Sequence, residues 1–398
     1  MRIAIVAANQ ELVGGIETYL RWLLAALVDR GHDVAFAFEQ ASTQPERAVD
    51  EGIATLVRWD LQVVDRKAFL EQLSGFRPDL VFLQGCRDET LDLALAERFR
   101  SVLFAHVFYA ACAAGSRVHR IPQRQVCTRR FGPACLPINY LRGCGVRNPL
   151  RLLTQYSEQR DRSKVLPFLA GLVVASDYMR SVFQHHGVRD NHVHVVPYPA
   201  EFPPDPTPPS ARASRNKVLF LGRLTKEKGA AKAVEVAARC QHALGRPLHL
   251  TLAGEGPELA HCQRLAVDLG IETDFAGWVG ADRRMALLRR ADVLIVPSLW
   301  PEPFGIVGIE AASVGLPAVA YRVGGIVDWL HSGESGELAD GEQFDTEALA
   351  EAMERALRDR DHYRRLQLGA WRVSHEFSGE RHLARLEDLF DEVRLGPS

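Results

Sequence analysis

The sequence predicts an α/β chain built of two doubly wound halves. Three observations predict this. Short apolar strand patterns alternate with amphipathic helical patterns from residue 2 onward, and the alternation restarts at residue 217. Between the two series, seven prolines fall within the thirteen residues 197–209 and read as an extended connector. The chain of 398 residues is also too long for one ordinary core.

The elements follow in order. Residues 2–8 read as a strand, and a loop with Gly14 and Gly15 opens a helix. Ile16, Tyr19, Leu20, Leu23, Leu24, Leu27 and Val28 share one face of that helix at the i, i+3, i+4, i+7 spacing. Gly31 ends it, and residues 32–38 return as a strand, completing a βαβ unit. Further strands are expected at 80–84, 101–106, 170–175 and 192–196. After the connector, strands recur at 217–222, 248–253, 273–278, 292–297 and 317–321. Residues 346–395 read as helical throughout. Open α/β sheets bind ligands at the carboxyl ends of their strands, so the loops after these strands are the places to search.

Composition narrows the function. Hydrophobic residues make up 47% and charged residues 25%, an ordinary globular balance, and the net charge of -2 speaks against wholesale nucleic-acid binding. No apolar run is long enough for a membrane span, and the N-terminus lacks a signal peptide's apolar core. The expected location is the cytoplasm, with peripheral contact at the inner membrane face left open. Seven cysteines, an odd number, fit a reducing compartment better than a disulfide framework.

The most informative stretch is S-L-W-P-E-P-F-G-I-V-G-I-E over residues 298–310. It follows an apolar strand pattern and becomes helical after Gly305, so it reads strand, turn, helix. Glu302 lies in the turn and Glu310 over a turn further along the helix. A helix N-terminus offers unpaired N–H groups and partial positive charge to a phosphate, and a carboxylate can accept a pair of sugar hydroxyls. The combination suits a nucleotide-sugar. Two glutamates at this spacing alone would read as surface residues.

This string resembles the E-x7-E signature of the retaining glycosyltransferases of family 4, the glycosyl transferases group 1, which have the GT-B fold. The resemblance runs on through residues 311–320 and Gly324-Gly325, and covers nearly the whole chain. It implies two Rossmann-like domains facing a cleft, with the last helix crossing back to the first domain. The expected boundaries are 1–198 for an acceptor-side domain, 199–216 for the linker, 217–376 for the donor domain and 377–398 for the crossing helix.

The resemblance also implies roles. The string G-R-L-T-K-E-K-G at 222–229 looks like the family's G-R-L-x-x-x-K-G, which puts Arg223 and Lys228 on the donor diphosphate. Arginine supplies a planar fork for phosphate oxygens and lysine a mobile point charge. Lys226 falls outside the pattern. By the same carry-over, Glu302 faces the donor sugar, Glu310 holds the ribose, and the backbone of Phe304, Gly305 and Ile306 meets sugar and phosphate. His106, ending the 101–106 strand, would sit beside the donor sugar; a lone histidine there is more often packed. Gly14 and Gly15 would approach donor or acceptor, and Gly254 the nucleotide base. The implied reaction moves a hexose-type sugar from a UDP- or GDP-sugar, with retention and without a metal, to a glycan, lipid-linked or small-molecule hydroxyl acceptor.

Three departures qualify this. Cys112, Cys127, Cys135 and Cys144 cluster in thirty-three residues without a C-x2-C pair, so a structural zinc site and incidental thiols are both open. The loop-like stretch 112–164 holds eleven Arg or Lys against two Asp or Glu, which suits an anionic acceptor or membrane headgroups. Where many relatives carry N-G-V-D before the linker, this chain has V-P-Y-P-A-E at 196–201. A nucleotide-sugar 2-epimerase of the same architecture and a non-catalytic nucleotide-sugar or glycan scaffold are the rival readings. A dinucleotide oxidoreductase is disfavoured because Gly14-Gly15 is not G-x-G-x-x-G.

Overall fold

The computed structural model describes residues 1–200, 204–212, 215–341 and 343–395. The strands of the first half are β1 (Arg2–Asn9), β2 (Asp33–Gln40), β3 (Val57–Asp60), β4 (Leu80–Leu83), β5 (Ser101–Phe104), β6 (Val118–His119), β7 (Gln125–Val126), β8 (Gly171–Val174) and β9 (Val193–Val195). Those of the second half are β10 (Lys217–Leu221), β11 (His249–Ala253), β12 (Glu272–Gly277), β13 (Val293–Val296), β14 (Ala318–Tyr321) and β15 (Gly336–Ala339).

They form two parallel sheets, in the orders β3-β2-β1-β4-β5-β8-β9 and β12-β11-β10-β13-β14-β15. Strands β4, β5, β8, β13 and β14 are buried at every residue, as expected of parallel strands covered on both faces. The helix Gly15–Asp29 buries Tyr19, Leu20, Leu23, Leu24 and Leu27, so the expected apolar face is the one that packs. Each fully buried leucine there contributes on the order of 1.5–3 kcal/mol.

The chain divides into two compact units. Unit 1 is Met1–Arg117, Thr128–Glu201 and Glu380–Ser398, and unit 2 is Val118–Cys127 and Phe202–Gly379. The final helix, Gly379–Leu395, therefore packs mostly in unit 1. There Phe390 meets Phe82 edge-on at 5.1 Å, and His382 Nε2 lies 2.9 Å from the Tyr19 hydroxyl. His382 Nδ1 lies 2.6 Å from the Pro197 carbonyl oxygen.

Several expectations need correction. Strands β3 and β15 escape the sequence pattern. β3 is a partly exposed edge strand carrying Arg58 and Asp60. β15 buries Glu337, whose charge is met by His362 at 2.7 Å and Arg355 at 3.4 Å. Residues 346–395 are not one continuous helical stretch. Asp359, in extended backbone, ends one helix and caps the next through His362 N–H, and a short 3-10 turn, His375–Phe377, precedes the last helix.

The stretch 112–164 is no loop either. It holds the antiparallel pair β6–β7 and the helices Cys135–Arg142 and Pro149–Ser163. Asn148 caps the second of these, with Pro149 at its first position, where a missing N–H costs nothing. The four-cysteine zinc expectation also fails. Among the described residues no group of three or more His, Cys, Asp or Glu comes together to hold a metal. Cys135 opens its helix, and Cys144 follows the far end, where its N–H donates to the Asn139 carbonyl at 3.2 Å.

Candidate functional site

The order of the second sheet reverses between β10 and β13, which lie side by side with Val218 opposite Val293 and Leu219 opposite Leu294. Ligands of open α/β sheets bind where the order reverses, outside the strands' carboxyl ends. The two loops that leave this point are 222–229 after β10 and 297–305 after β13. They carry the charged residues singled out above.

The first loop is fixed by backbone contact with the loop after β11. Leu224 N–H donates to the Glu255 carbonyl at 2.7 Å, and Glu258 N–H to the Leu224 carbonyl at 3.0 Å. Gly254 has φ of +142°, and a Cβ there would stand 2.0 Å from the Gly222 oxygen, so only glycine allows this approach. The expected position of Gly254 near a base is therefore also a close-packing position. Arg223 is exposed, and among the described residues its side chain makes no hydrogen bond or ion pair. Lys228 points to the second loop instead.

Its Nζ lies 2.8 and 3.0 Å from the two carboxylate oxygens of Glu302 and 5.6 Å above the Trp300 ring. Glu302 also accepts from Ser298 Oγ at 2.5 Å and Trp300 Nε1 at 2.9 Å. A buried carboxylate with three donors is a charge fixed in place. The Glu302 carbonyl accepts from Gly325 N–H at 2.7 Å, which anchors the turn to the loop after β14. Sequence reading found the glutamate but gave no role to Ser298 or to the Trp300 indole. Their spacing two and four residues before Glu302 was the available signal.

Gly305 caps the helix Ile306–Ser313 in left-handed backbone, φ +92°, without a side-chain cap, and its carbonyl accepts from Gly308 N–H at 2.9 Å. Trp329 Nε1 holds the Phe304 carbonyl at 2.7 Å, and its ring fills the space beside Gly308. Further along this helix Glu310 is buried; burial raises its carboxyl above the ordinary range, while Arg284, 3.8 Å away, opposes the shift.

The strand pair β6–β7 adds two cations that sequence reading placed in an undifferentiated basic loop. Arg120 pairs with Glu227, next to Lys228, at 3.2 Å. Arg124 donates to the Leu299 carbonyl, beside Trp300, at 3.0 Å. Val126 N–H donates to Gln343 Oε1 at 2.9 Å. Burial and the nearby Arg120 lower the Arg124 guanidinium below its usual range.

The remaining candidates lie in unit 1. Gly14 and Gly15 do open a helix, but Glu17 folds back to accept from Gly14 N–H at 3.0 Å and from Asn9 Nδ2 at 3.1 Å. His106 stacks 4.4 Å from the Phe104 ring. Both its ring nitrogens are engaged, one with the Tyr198 hydroxyl and the other with Gln84 Oε1 at 2.8 Å. Burial pushes its pKa down to about 3, so it is neutral. The packed role is the one the structure displays.

Residues 13–200 match the family described as Glycosyltransferase Family 4, and residues 205–370 match Glycosyl transferases group 1. The chain belongs to the glycosyl transferases group 1 family. A D-inositol 3-phosphate glycosyltransferase of Acidothermus cellulolyticus is 35% identical over 181 residues, 41% of this chain and 40% of that protein. The chain spans between 28% and 49% of the length of the curated relatives it matches. Sucrose-phosphate synthase from Thermosynechococcus elongatus superposes with a TM-score of 0.73 at 20% identity, over 99% of both chains. Anabaena HepE in complex with UDP gives 0.70 at 17% identity, over 98% of this chain and 100% of that one. These likenesses show the group 1 fold, two parallel α/β domains of the GT-B type.

Proposed function

We propose that this chain is a glycosyltransferase that moves a hexose-type sugar from a nucleoside diphosphate sugar to a hydroxyl acceptor, with retention and without a divalent metal. The observation that carries the reading is the placement of Arg223, Lys228 and Glu302 on the two loops at the sheet's reversal point. The donor's diphosphate would take the exposed Arg223 guanidinium and draw on Lys228. Glu302, held by Ser298 and Trp300 whether or not Lys228 stays, would accept sugar hydroxyls and oppose positive charge building at the anomeric carbon. Glu310 would take the ribose hydroxyls, and the departing phosphate would receive the acceptor's proton. UDP bound to the structurally similar HepE supports a uridine donor ahead of a guanosine one.

The test is thermal shift of the full chain against UDP-, GDP-, ADP- and TDP-sugars, with and without EDTA, followed by product analysis. A selective rise that survives EDTA supports the donor class and the metal-free reading. Stabilisation by no nucleotide would overturn it in favour of a scaffold, and conversion of the donor sugar itself in favour of an epimerase. The anomeric configuration of the product decides retention. The acceptor, a glycan, lipid-linked saccharide or small hydroxyl compound, would be found by offering each with the donor so identified.

A further inference from the structure

We infer that the tip of the helical pair Cys135–Arg142 and Pro149–Ser163 docks the chain on an anionic lipid bilayer surface. The tip presents Leu141 at 71% exposure, Leu150 at 74%, Leu153 at 52% and Tyr140 at 47%. These are large apolar side chains held in water. Leu152 and Asn139 of the two helices are buried, and Asn139 Nδ2 donates to the Val146 carbonyl at 2.7 Å, closing the loop between the helices. The exposed leucines are thus presented by a braced element.

Charge identifies the partner. Arg142, Arg147 and Arg151 stand among the leucines, all exposed, and among the described residues none forms an ion pair. No Asp or Glu occurs from residue 98 through residue 157. Leucines and a tyrosine interleaved with arginines, on short helices, are what an anionic headgroup layer accepts. The apolar groups enter the acyl boundary while the guanidinium groups remain with lipid phosphates on their flexible stems. A nucleic acid would meet the arginines but leave four apolar side chains uncompensated. No helix among the described residues is long and apolar enough to cross a bilayer, so the contact is peripheral. This inference stands independently of the transferase reading.

The test is flotation of the full chain with vesicles of phosphatidylcholine alone or with about 30% phosphatidylglycerol, at about 0.1 M salt. The chain should float with the anionic vesicles and not with the neutral ones. Leu141→Glu with Leu150→Glu, and separately Arg142→Glu with Arg147→Glu and Arg151→Glu, should each reduce the bound fraction by about tenfold or more with an unchanged melting temperature. Leu150→Trp gives a second readout: its fluorescence should shift to the blue when anionic vesicles are added. Failure to float with anionic vesicles, equal flotation with neutral ones, or wild-type binding by either the leucine or the arginine variant would overturn the inference. So would a dimer in solution that the leucine variants dissociate, since a second copy would then cover the tip.

Discussion

Lys228 Nζ lies within hydrogen-bonding distance of both carboxylate oxygens of Glu302, at 2.8 and 3.0 Å, although the two residues belong to different loops. The pair ties the loop after β10 to the loop after β13. A diphosphate arriving at this point would compete for Lys228, and the carboxylate would keep Ser298 and Trp300. Lys228→Ala should therefore lower stability by about 1–3 kcal/mol, because a buried carboxylate loses its cation, and should also abolish transfer. Glu302→Gln keeps the shape and should retain nucleotide binding while losing turnover by about a hundredfold or more, on the scale of one lost electrostatic stabiliser. Urea unfolding and steady-state kinetics separate the two effects, and full activity in Glu302→Gln would remove it from the mechanism.

Arg223 offers the opposite case. It is exposed and makes no side-chain bond among the described residues, so Arg223→Ala should leave the melting temperature unchanged. If its guanidinium meets charge that builds on the leaving diphosphate, turnover falls by about tenfold or more. Parallel loss of melting temperature and activity would show a structural role instead.

Gly308 is a packing position. A Cβ there would stand 2.0 Å from the Trp329 ring, which in turn holds the Phe304 carbonyl. Gly308→Ala should cost about 1–3 kcal/mol as an overpacked core, read by denaturant midpoint. Wild-type stability would mean that Trp329 moves away freely.

Two buried histidines set a pH dependence. Burial lowers His106 to about 3 and His382 to about 4, against an ordinary value of 6.5. The unfolded chain therefore binds protons that the folded chain refuses. Stability is full above about pH 6.5 and falls as pH drops from there toward 4, by at most about 1.4 kcal/mol per pH unit for each histidine. Melting temperatures between pH 8 and pH 5 should show this acid slope, and His382→Gln should flatten it; an unchanged slope would exclude His382.

Arg124 predicts a split between stability and kinetics. Its bond to the Leu299 carbonyl holds β6–β7 beside the Glu302 turn. Arg124→Ala should raise KM for the donor by about tenfold to a hundredfold, the value of one charge-assisted bond, with Arg124→Lys restoring part of it. A pure fall in melting temperature with unaltered KM would confine Arg124 to folding.

Much of this was legible in the sequence, for physical reasons. Buried parallel strands such as Val293–Val296 are continuous apolar runs, and the helix Gly15–Asp29 shows its face by spacing alone. The strand-turn-helix around Glu302 is equally visible, since Gly305 marks the left-handed cap. What escaped depends on partners distant in sequence. Glu337 makes β15 look polar until His362 and Arg355 are beside it. His106 reads as a site residue until Gln84 and Tyr198 occupy both its nitrogens. The arginines of β6–β7 read as a solvated run until Glu227 and Leu299 give them places.

Neither unit is a continuous stretch of chain, and this bears on how the protein is made. Unit 1 contains β1 and also the last helix, whose Phe390 and His382 pack on Phe82 and Tyr19. As the chain leaves the ribosome N-terminus first, the sheet that β1 begins waits for residues 380–395, with the faces of Tyr19 and Phe82 that His382 and Phe390 cover still exposed. A stop codon placed just before Glu380 would thus harm the beginning of the chain rather than its end.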